Sequence, residues 1–429
     1  MRILITDEMS LSNVFTSFDR SFLYSFSFVP TIITARQLAA VTPSHHILAI
    51  QEGNRTIDFD ANYDIVHINF KTALAPRAYE IADIFRKKGK RVVMSGYHPS
   101  ALPDEAKQHA DSVIVGDAVT LWPVVVKNLE AGNLQSFYTS ADTCDSLLLP
   151  STHTIRLNSV QLTNSIEATR GCPYKCDFCQ DANIRDGSVF RTRPIANVIE
   201  EIASLQQKIF FFTDFSLTID LAYTKELFQH MKGLKKKFIC GGNVDVLAED
   251  EELLRVSHEA GCIEWISGFE TFSQESLKGA HKKTNIVEDY GRAVKKIHKY
   301  KMAVFGTFVL GFDEDAPDIF KIIQTHIGKL GIDAVNFAIL TPYPGTPLFN
   351  RLEKEGRILT KDWSKYNRKN VVFQPKNMTK KELEEGFRNI THYFSSVPYI
   401  GYRTLRSLSL GSYPFIATFA GNLSQYMKT

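Results

Sequence analysis

Three cysteines fall close together in the string Arg170-Gly171-Cys172-Pro173-Tyr174-Lys175-Cys176-Asp177-Phe178-Cys179. Thiolates at C-x3-C-x2-C spacing can hold three corners of a four-iron cluster, leaving the fourth iron without a protein ligand nearby. An open coordination position is what a metal centre keeps when it must bind a substrate or cofactor. The spacing therefore points to chemistry at iron more than to a structural clip. Two other readings stay open on spacing alone. Clustered cysteines also build zinc sites, but a closed zinc site needs four ligands. Cys144, Cys240 and Cys262 stand alone, and the nearest upstream histidine is His153. An iron–sulfur electron carrier or sensor surrounds its cluster with four ligands, and no fourth cysteine lies at hand.

The thiols need a scaffold, and residues 161–365 read as one. They repeat a strand–helix unit six times, with strands at 165–170, 209–213, 238–241, 264–270, 303–311 and 334–340. Polar or glycine-bearing segments close these strands: Phe212-Thr213-Asp214, Ser267-Gly268-Phe269-Glu270, Val309-Leu310-Gly311 and Thr341-Pro342-Tyr343-Pro344-Gly345-Thr346. βα barrels place their active sites at that end; six units predict a partial barrel. Glu270 is suited to accept hydrogen bonds from ligand hydroxyls, with a surface ion pair as the plainer alternative. Gly311 would allow close approach of backbone to a ligand.

Residues 1–145 alternate short strands (2–6, 46–49, 64–70, 91–95, 112–115) with helical stretches (31–41, 75–88, 104–109, 119–130). That alternation predicts a parallel, doubly wound, Rossmann-like α/β sheet. Its ligand would lie beyond the strand ends, at the loops 7–10, 71–73, 95–98 and 116–118. Residues 146–160, with Pro150, read as a linker. Residues 366–429 read as a small α-rich extension, opened by a capping box at Thr379 and Glu382. Its aromatic tail (Tyr399, Tyr402, Tyr413, Phe415, Phe419, Tyr426) fits a packed helix, a roof over an apolar substrate, or peripheral contact with a membrane.

These motifs, in this order, resemble the radical S-adenosylmethionine (radical SAM) family, with Phe178 as the aromatic before the last cysteine. The region before the cysteines is similar to the cobalamin-binding domain of that family's cobalamin-dependent, class B methyltransferase-like branch. Ala75-Pro76-Arg77-Ala78-Tyr79 and Ser95-Gly96-Tyr97-His98-Pro99-Ser100 carry that likeness. The resemblance implies a [4Fe–4S] cluster on Cys172, Cys176 and Cys179 whose open iron chelates S-adenosylmethionine and cleaves it to a 5′-deoxyadenosyl radical. It further implies S-adenosylmethionine contacts from Phe178, Phe212, Thr213, Asp214, Glu270, Val309 and Gly311. Cobalamin contacts would come from Ser10, Thr72, Ser95, Gly96, His98 and Gly116. The chain departs from the family pattern in lacking Asp-x-His-x-x-Gly, in Ser95 where a glycine is usual, in Val119 where an acid is usual, and in Thr307 where a glycine is usual.

The expected activity is cobalamin-dependent methyl transfer to an unactivated carbon of a small apolar molecule, drawing electrons from flavodoxin or ferredoxin. Cyclisation, oxidation or carbon–carbon coupling are the alternatives. Methylthio transfer is disfavoured, because residues 1–143 contain no cysteine for a second cluster. Fifty basic and 47 acidic residues leave a net charge of +3, which gives no electrostatic footprint for nucleic acid. Lys235-Lys236-Lys237 read as a solvated helix end. The hydrophobic fraction of 44% fits a globular core. No apolar run is long enough to span a membrane, and the chain opens on a strand instead of an export signal. A reducing cytoplasm is the expected setting, where thiolates remain available for iron.

Overall fold

The computed structural model describes residues 1–6, 33–51, 57–139 and 163–427. Ser10, Cys144 and the 146–160 linker lie outside the described residues.

The N-terminal unit is a six-stranded parallel sheet. Its strands are β1 (Arg2–Thr6), β2 (Ile47–Gln51), β3 (Ile65–Asn69), β4 (Arg91–Ser95), β5 (Ser112–Val115) and β6 (Phe137–Thr139), in the order β2-β1-β3-β4-β5-β6. β1 pairs with both β2 and β3, so strand order reverses there, and ligands of such sheets bind at that reversal. Both faces are covered. Leu4, Val66, Ile68 and Phe85 pack on one side, and Ile3, Ile5, Leu38 and Trp122 on the other. β6 adds a strand beyond the five read in the sequence. It has three residues, too few to display a period of two, and is held by pairing Val113 with Phe137.

The second unit is a partial barrel. The strands β7 (Thr163–Ile166), β10 (Ile209–Phe212), β11 (Lys237–Gly241), β12 (Cys262–Glu270), β13 (Ala303–Leu310) and β14 (Ala334–Ile339) lie side by side, all parallel, in sequence order. The first strand is shorter than its sequence pattern. After Ile166 the chain turns, and β8 (Thr169–Arg170) pairs antiparallel with β9 (Arg191–Thr192). Alternate side chains then face opposite ways. Phe210, Phe238, Cys240 and Trp265 pack with the surrounding helices. Phe211, Ile239 and Ile263 face Ala417, on the C-terminal helix Ser412–Tyr426. Gly421 of that helix sits so close that a Cβ would meet the Phe305 ring at 3.1 Å.

The α-rich C-terminal part comprises helices Lys380–Ser395, Val397–Ser407 and Ser412–Tyr426. The capping box forms: Glu382 N–H donates to Thr379 Oγ1 at 3.1 Å, and Thr379 N–H to Glu382 Oε2 at 2.7 Å. Among the described residues no helix is long and apolar enough to cross a membrane.

Candidate active site

The cysteine loop leaves β8 through Gly171, whose φ is +90° and whose Cβ would lie 2.0 Å from the Val189 carbonyl oxygen. Only glycine fits that crossing. The loop is then pinned from several sides. Cys172 N–H donates to Gly187 O at 2.8 Å, Asp177 N–H to Ala280 O at 3.1 Å, and Leu348 N–H to Asp177 O at 3.1 Å. The Asn183 amide donates to the carbonyls of Cys176 and Cys179, at 2.9 and 2.7 Å. Cys176 is buried, Cys172 and Cys179 partly so, and none is in a disulfide. Burial pushes all three thiols above their ordinary pKa, and Lys282 pulls Cys172 and Cys176 back down. Thiols so placed become thiolates when a metal binds them.

Lys282 is a feature the sequence reading missed. Its Nζ lies 3.5 Å from Glu270 Oε1, with both side chains largely buried. Burial works against the Lys282 ammonium, but Glu270 and the three thiols outweigh it, so its pKa lies above the usual lysine value. Burial likewise raises the Glu270 carboxyl, opposed by Lys282. Glu270 sits at φ +61°, where the register between β12 and β13 shifts. That left-handed conformation is costly for a non-glycine residue. It is held from behind by Asn285, which donates to Gly268 O and Phe269 O at 2.7 and 3.0 Å, and by the Tyr290 hydroxyl, donating to Phe269 O at 2.6 Å. A Cβ on Gly268 would stand 2.3 Å from Glu270 Oε1. A lysine, a carboxylate and three thiols thus share one corner of the barrel mouth.

The other residues singled out in the barrel divide. The Phe178 ring meets Phe312 edge-on at 5.7 Å beside the cysteine loop. Gly311 holds φ +99°, and its N–H and that of Phe312 donate to buried Asp315 at 3.0 and 3.1 Å. Val309 is half-buried against the barrel core. Phe212 turns away into the aromatic core, 5.4 Å from the Phe238 ring. Thr213 donates from both N–H and Oγ1 to Ile166 O, at 2.9 and 3.2 Å. The buried Asp214 carboxylate accepts from Ala168 N–H at 3.1 Å, from Thr169 N–H, and from Thr169 Oγ1 at 2.7 Å. These bonds explain why the first strand breaks after Ile166. Burial nevertheless lifts Asp214 to about 7, against the pull of Thr169.

The strand ends of the N-terminal sheet meet this corner. Arg170 Nη1 donates to Asp117 Oδ1 and Oδ2 at 2.9 and 3.0 Å, and Arg191 adds a contact at 3.3 Å. Gln180, next to Cys179, donates to Thr72 Oγ1 at 3.3 Å, and the Tyr97 hydroxyl donates to Asp181. Gly96 holds φ +108°, where a Cβ would be 2.5 Å from Asn69 Oδ1 and from Phe70 O. Gly116 N–H donates to Ser100 Oγ at 3.0 Å. Ser95 Oγ is committed to Asn69 at 3.2 Å and His67 at 2.9 Å. Burial drops His67 to about 3, leaving its ring neutral. His98 is fully buried, 3.0 Å from the Tyr79 hydroxyl and 3.2 Å from Glu105, with Trp363 against its ring.

A profile described as the Radical SAM superfamily matches residues 166–325, and one described as a domain of unknown function (DUF4070) matches residues 346–409. The bacteriochlorophyllide d C-12(1)-methyltransferase of Chlorobaculum tepidum is 31% identical over 339 residues, covering 76% of this chain and 74% of the relative. The bacteriochlorophyllide d C-8(2)-methyltransferase of the same organism is 32% identical over 354 residues, covering 77% and 78%. Among solved structures, the cobalamin-dependent S-adenosylmethionine radical enzyme OxsB, with aqua-cobalamin and S-adenosylmethionine bound, superposes with a TM-score of 0.67. At 13% identity, over 95% of this chain and 68% of that one, the likeness is one of fold. Strand-end thiols, two parallel sheets whose strand ends meet and these relatives agree: the chain is a radical SAM enzyme, its barrel preceded by a Rossmann-like sheet in the fold that OxsB also has.

Proposed function

We propose that this enzyme transfers a methyl group to an unactivated carbon of an apolar acceptor of the tetrapyrrole class, with a [4Fe–4S] cluster, S-adenosylmethionine and cobalamin as cofactors. The observation that carries this proposal is the bond from Arg170, two residues before Cys172, to Asp117, the residue after Gly116. It sets the ligand edge of one sheet against the cysteine loop of the other, as two cofactors acting on one substrate require. The two bacteriochlorophyllide methyltransferases support the acceptor class.

When bound, these groups supply an electron, a hydrogen-abstracting carbon radical and a methyl group. Cys172, Cys176 and Cys179 would hold the cluster; three thiols outside any disulfide, beside a buried ammonium, suit an anionic iron–sulfur centre. Lys282 would bind the carboxylate of S-adenosylmethionine, since its charged partner among the described residues is Glu270 alone. Glu270 would accept from the ribose hydroxyls, and Val309 and Gly311 would border the adenine. Thr213 and Asp214 keep the loop ahead of the cysteines in place, and Phe178 covers it. Thr72, Ser95, Gly96, His98 and Gly116 would border or support the cobalamin site. The units we assign run 1–145, 161–365 and 366–429. Hydrogen abstraction by a carbon radical needs no general base, so the site can work without one.

The test is anoxic reconstitution with a one-electron donor of the flavodoxin or ferredoxin kind, methyl-deuterated S-adenosylmethionine and a bacteriochlorophyllide. Labelled product is the expected outcome. Cluster-bearing protein that refuses cobalamin would end the methyl-transfer assignment. Cleavage of S-adenosylmethionine without methylation of any tetrapyrrole would end the acceptor assignment.

A further inference from the structure

Of the fifteen large apolar side chains exposed among the described residues, eight lie between Tyr393 and Tyr426. They are not scattered. Val397, Leu405 and Leu408 recur at intervals of eight and three on the helix Val397–Ser407 and the turn after it; Ile416, Phe419 and Tyr426 recur at three and seven on Ser412–Tyr426. These spacings each draw one stripe along a helix. The neighbouring face of the first helix and the opposite face of the second are spent: Arg403, Thr404 and Ser407 are buried on the first, and Pro414, Ala417 and Thr418 on the second.

Charge is arranged around the turn joining the two helices. Lys208 and Lys237 stand over the Tyr413 ring at 5.6 and 5.4 Å, and Lys301 Nζ donates to Ser409 O at 3.0 Å. These lysines come from the loops and strand starts at the N-terminal end of the barrel, opposite the cysteine loop. From residue 386 to 429 the chain carries no aspartate or glutamate. An apolar tip (Leu405, Leu408, Ile416) inside a lysine collar is thus displayed with no acid of its own segment to neutralise it.

We propose that this helical turn docks the enzyme on an anionic lipid bilayer, the apolar tip entering the headgroup boundary and the lysine collar resting on lipid phosphates. Apolar burial combined with several lysines near the surface is what reversible interfacial binding requires. A two-fold contact between copies is the less suitable occupant, because it would bring one lysine collar against the other. The proposal goes beyond the catalytic assignment and is tested without it.

The experiment is co-sedimentation of the full-length protein with vesicles of phosphatidylcholine alone or mixed with phosphatidylglycerol, at low and high salt. Binding is expected to the phosphatidylglycerol vesicles and to weaken with salt. Leu405→Asp with Leu408→Asp should lower partitioning by about tenfold or more. Lys208→Glu with Lys301→Glu, exposed positions that leave the core untouched, should lower it by about tenfold or more. Failure to bind phosphatidylglycerol vesicles would overturn the proposal, as would binding unchanged in the lysine pair. A dimer in light scattering that the leucine pair dissolves, without vesicle binding, would assign the face to a second copy instead.

Discussion

Arg170, the last residue before the cysteine loop, donates from Nη1 to both carboxylate oxygens of Asp117, in the loop after β5 of the other sheet, at 2.9 and 3.0 Å, in a site where the two side chains are 17% and 8% exposed. Burial pushes the Asp117 carboxyl up, and Arg170 with Arg191 more than offsets it, so the group stays ionised below the usual carboxylate range. Asp117 also caps the helix Ala118–Glu130 by accepting from Val119 N–H at 3.0 Å. Asn is an equally good cap, so Asp117→Asn removes the charge and spares the helix. It leaves Arg170 with Glu167 as its remaining carboxylate, at 2.6 Å, and takes from Arg191 its contact at 3.3 Å, a loss on the order of 2–3 kcal/mol. We expect cleavage of S-adenosylmethionine to survive in this variant while methyl transfer falls by about tenfold or more, as assays of both products on one sample would show.

Lys282→Gln should weaken S-adenosylmethionine binding. A charge-assisted hydrogen bond is worth about 1.5–3 kcal/mol, hence roughly a 10- to 150-fold rise in KM, with iron content unchanged. Glu270→Gln should show a smaller rise, since an amide oxygen can still accept from a hydroxyl. Equal, small effects from both would argue against the roles given to them.

Gly96→Ala tests the loop after β4. The new Cβ would fall 2.5 Å from Asn69 Oδ1 and from the Phe70 carbonyl, at φ +108°. We expect a loss of about 1–3 kcal/mol of stability and a fall in bound cobalt, with the barrel's iron retained. Cobalt-to-iron ratio by metal analysis checks it.

Glu264 on β12 predicts a pH dependence. Burial first, and Asp333 second, raise its carboxyl to about 8. Unfolded, it ionises near pH 4.5, so between these values the unfolded chain binds fewer protons than the folded one. Stability must then fall as pH rises across that window, by about 1.4 kcal/mol per unit, and level off above pH 8. Glu264→Gln should flatten this slope in thermal melts taken between pH 5.5 and pH 8.5.

Much of this fold is legible in the sequence because its strands are buried apolar runs ending in polar or glycine segments, as at Phe212-Thr213-Asp214 and Ser267-Gly268-Phe269-Glu270. The thiol spacing is legible because the loop is local. What escapes is tertiary. The break between β7 and β8 depends on Asp214, 45 residues beyond Thr169. Lys282 sits in a polar stretch beside Lys283 and reads as solvated; only the fold carries it beneath Glu270. The Lys235–Lys237 run likewise reads as a bare helix end, yet Lys237 stands over Tyr413 from the far end of the chain.

The central claim is that Cys172, Cys176 and Cys179 carry a cluster that cleaves S-adenosylmethionine beside the N-terminal sheet. The most direct measurement is 5′-deoxyadenosine formed by the anoxically reconstituted enzyme with dithionite, compared with Cys176→Ala. The account predicts 5′-deoxyadenosine from the wild-type chain and none from the variant, whose iron and acid-labile sulfide should be lost together. Wild-type protein that holds iron and sulfide but never yields 5′-deoxyadenosine, or a variant that yields it undiminished, would contradict it.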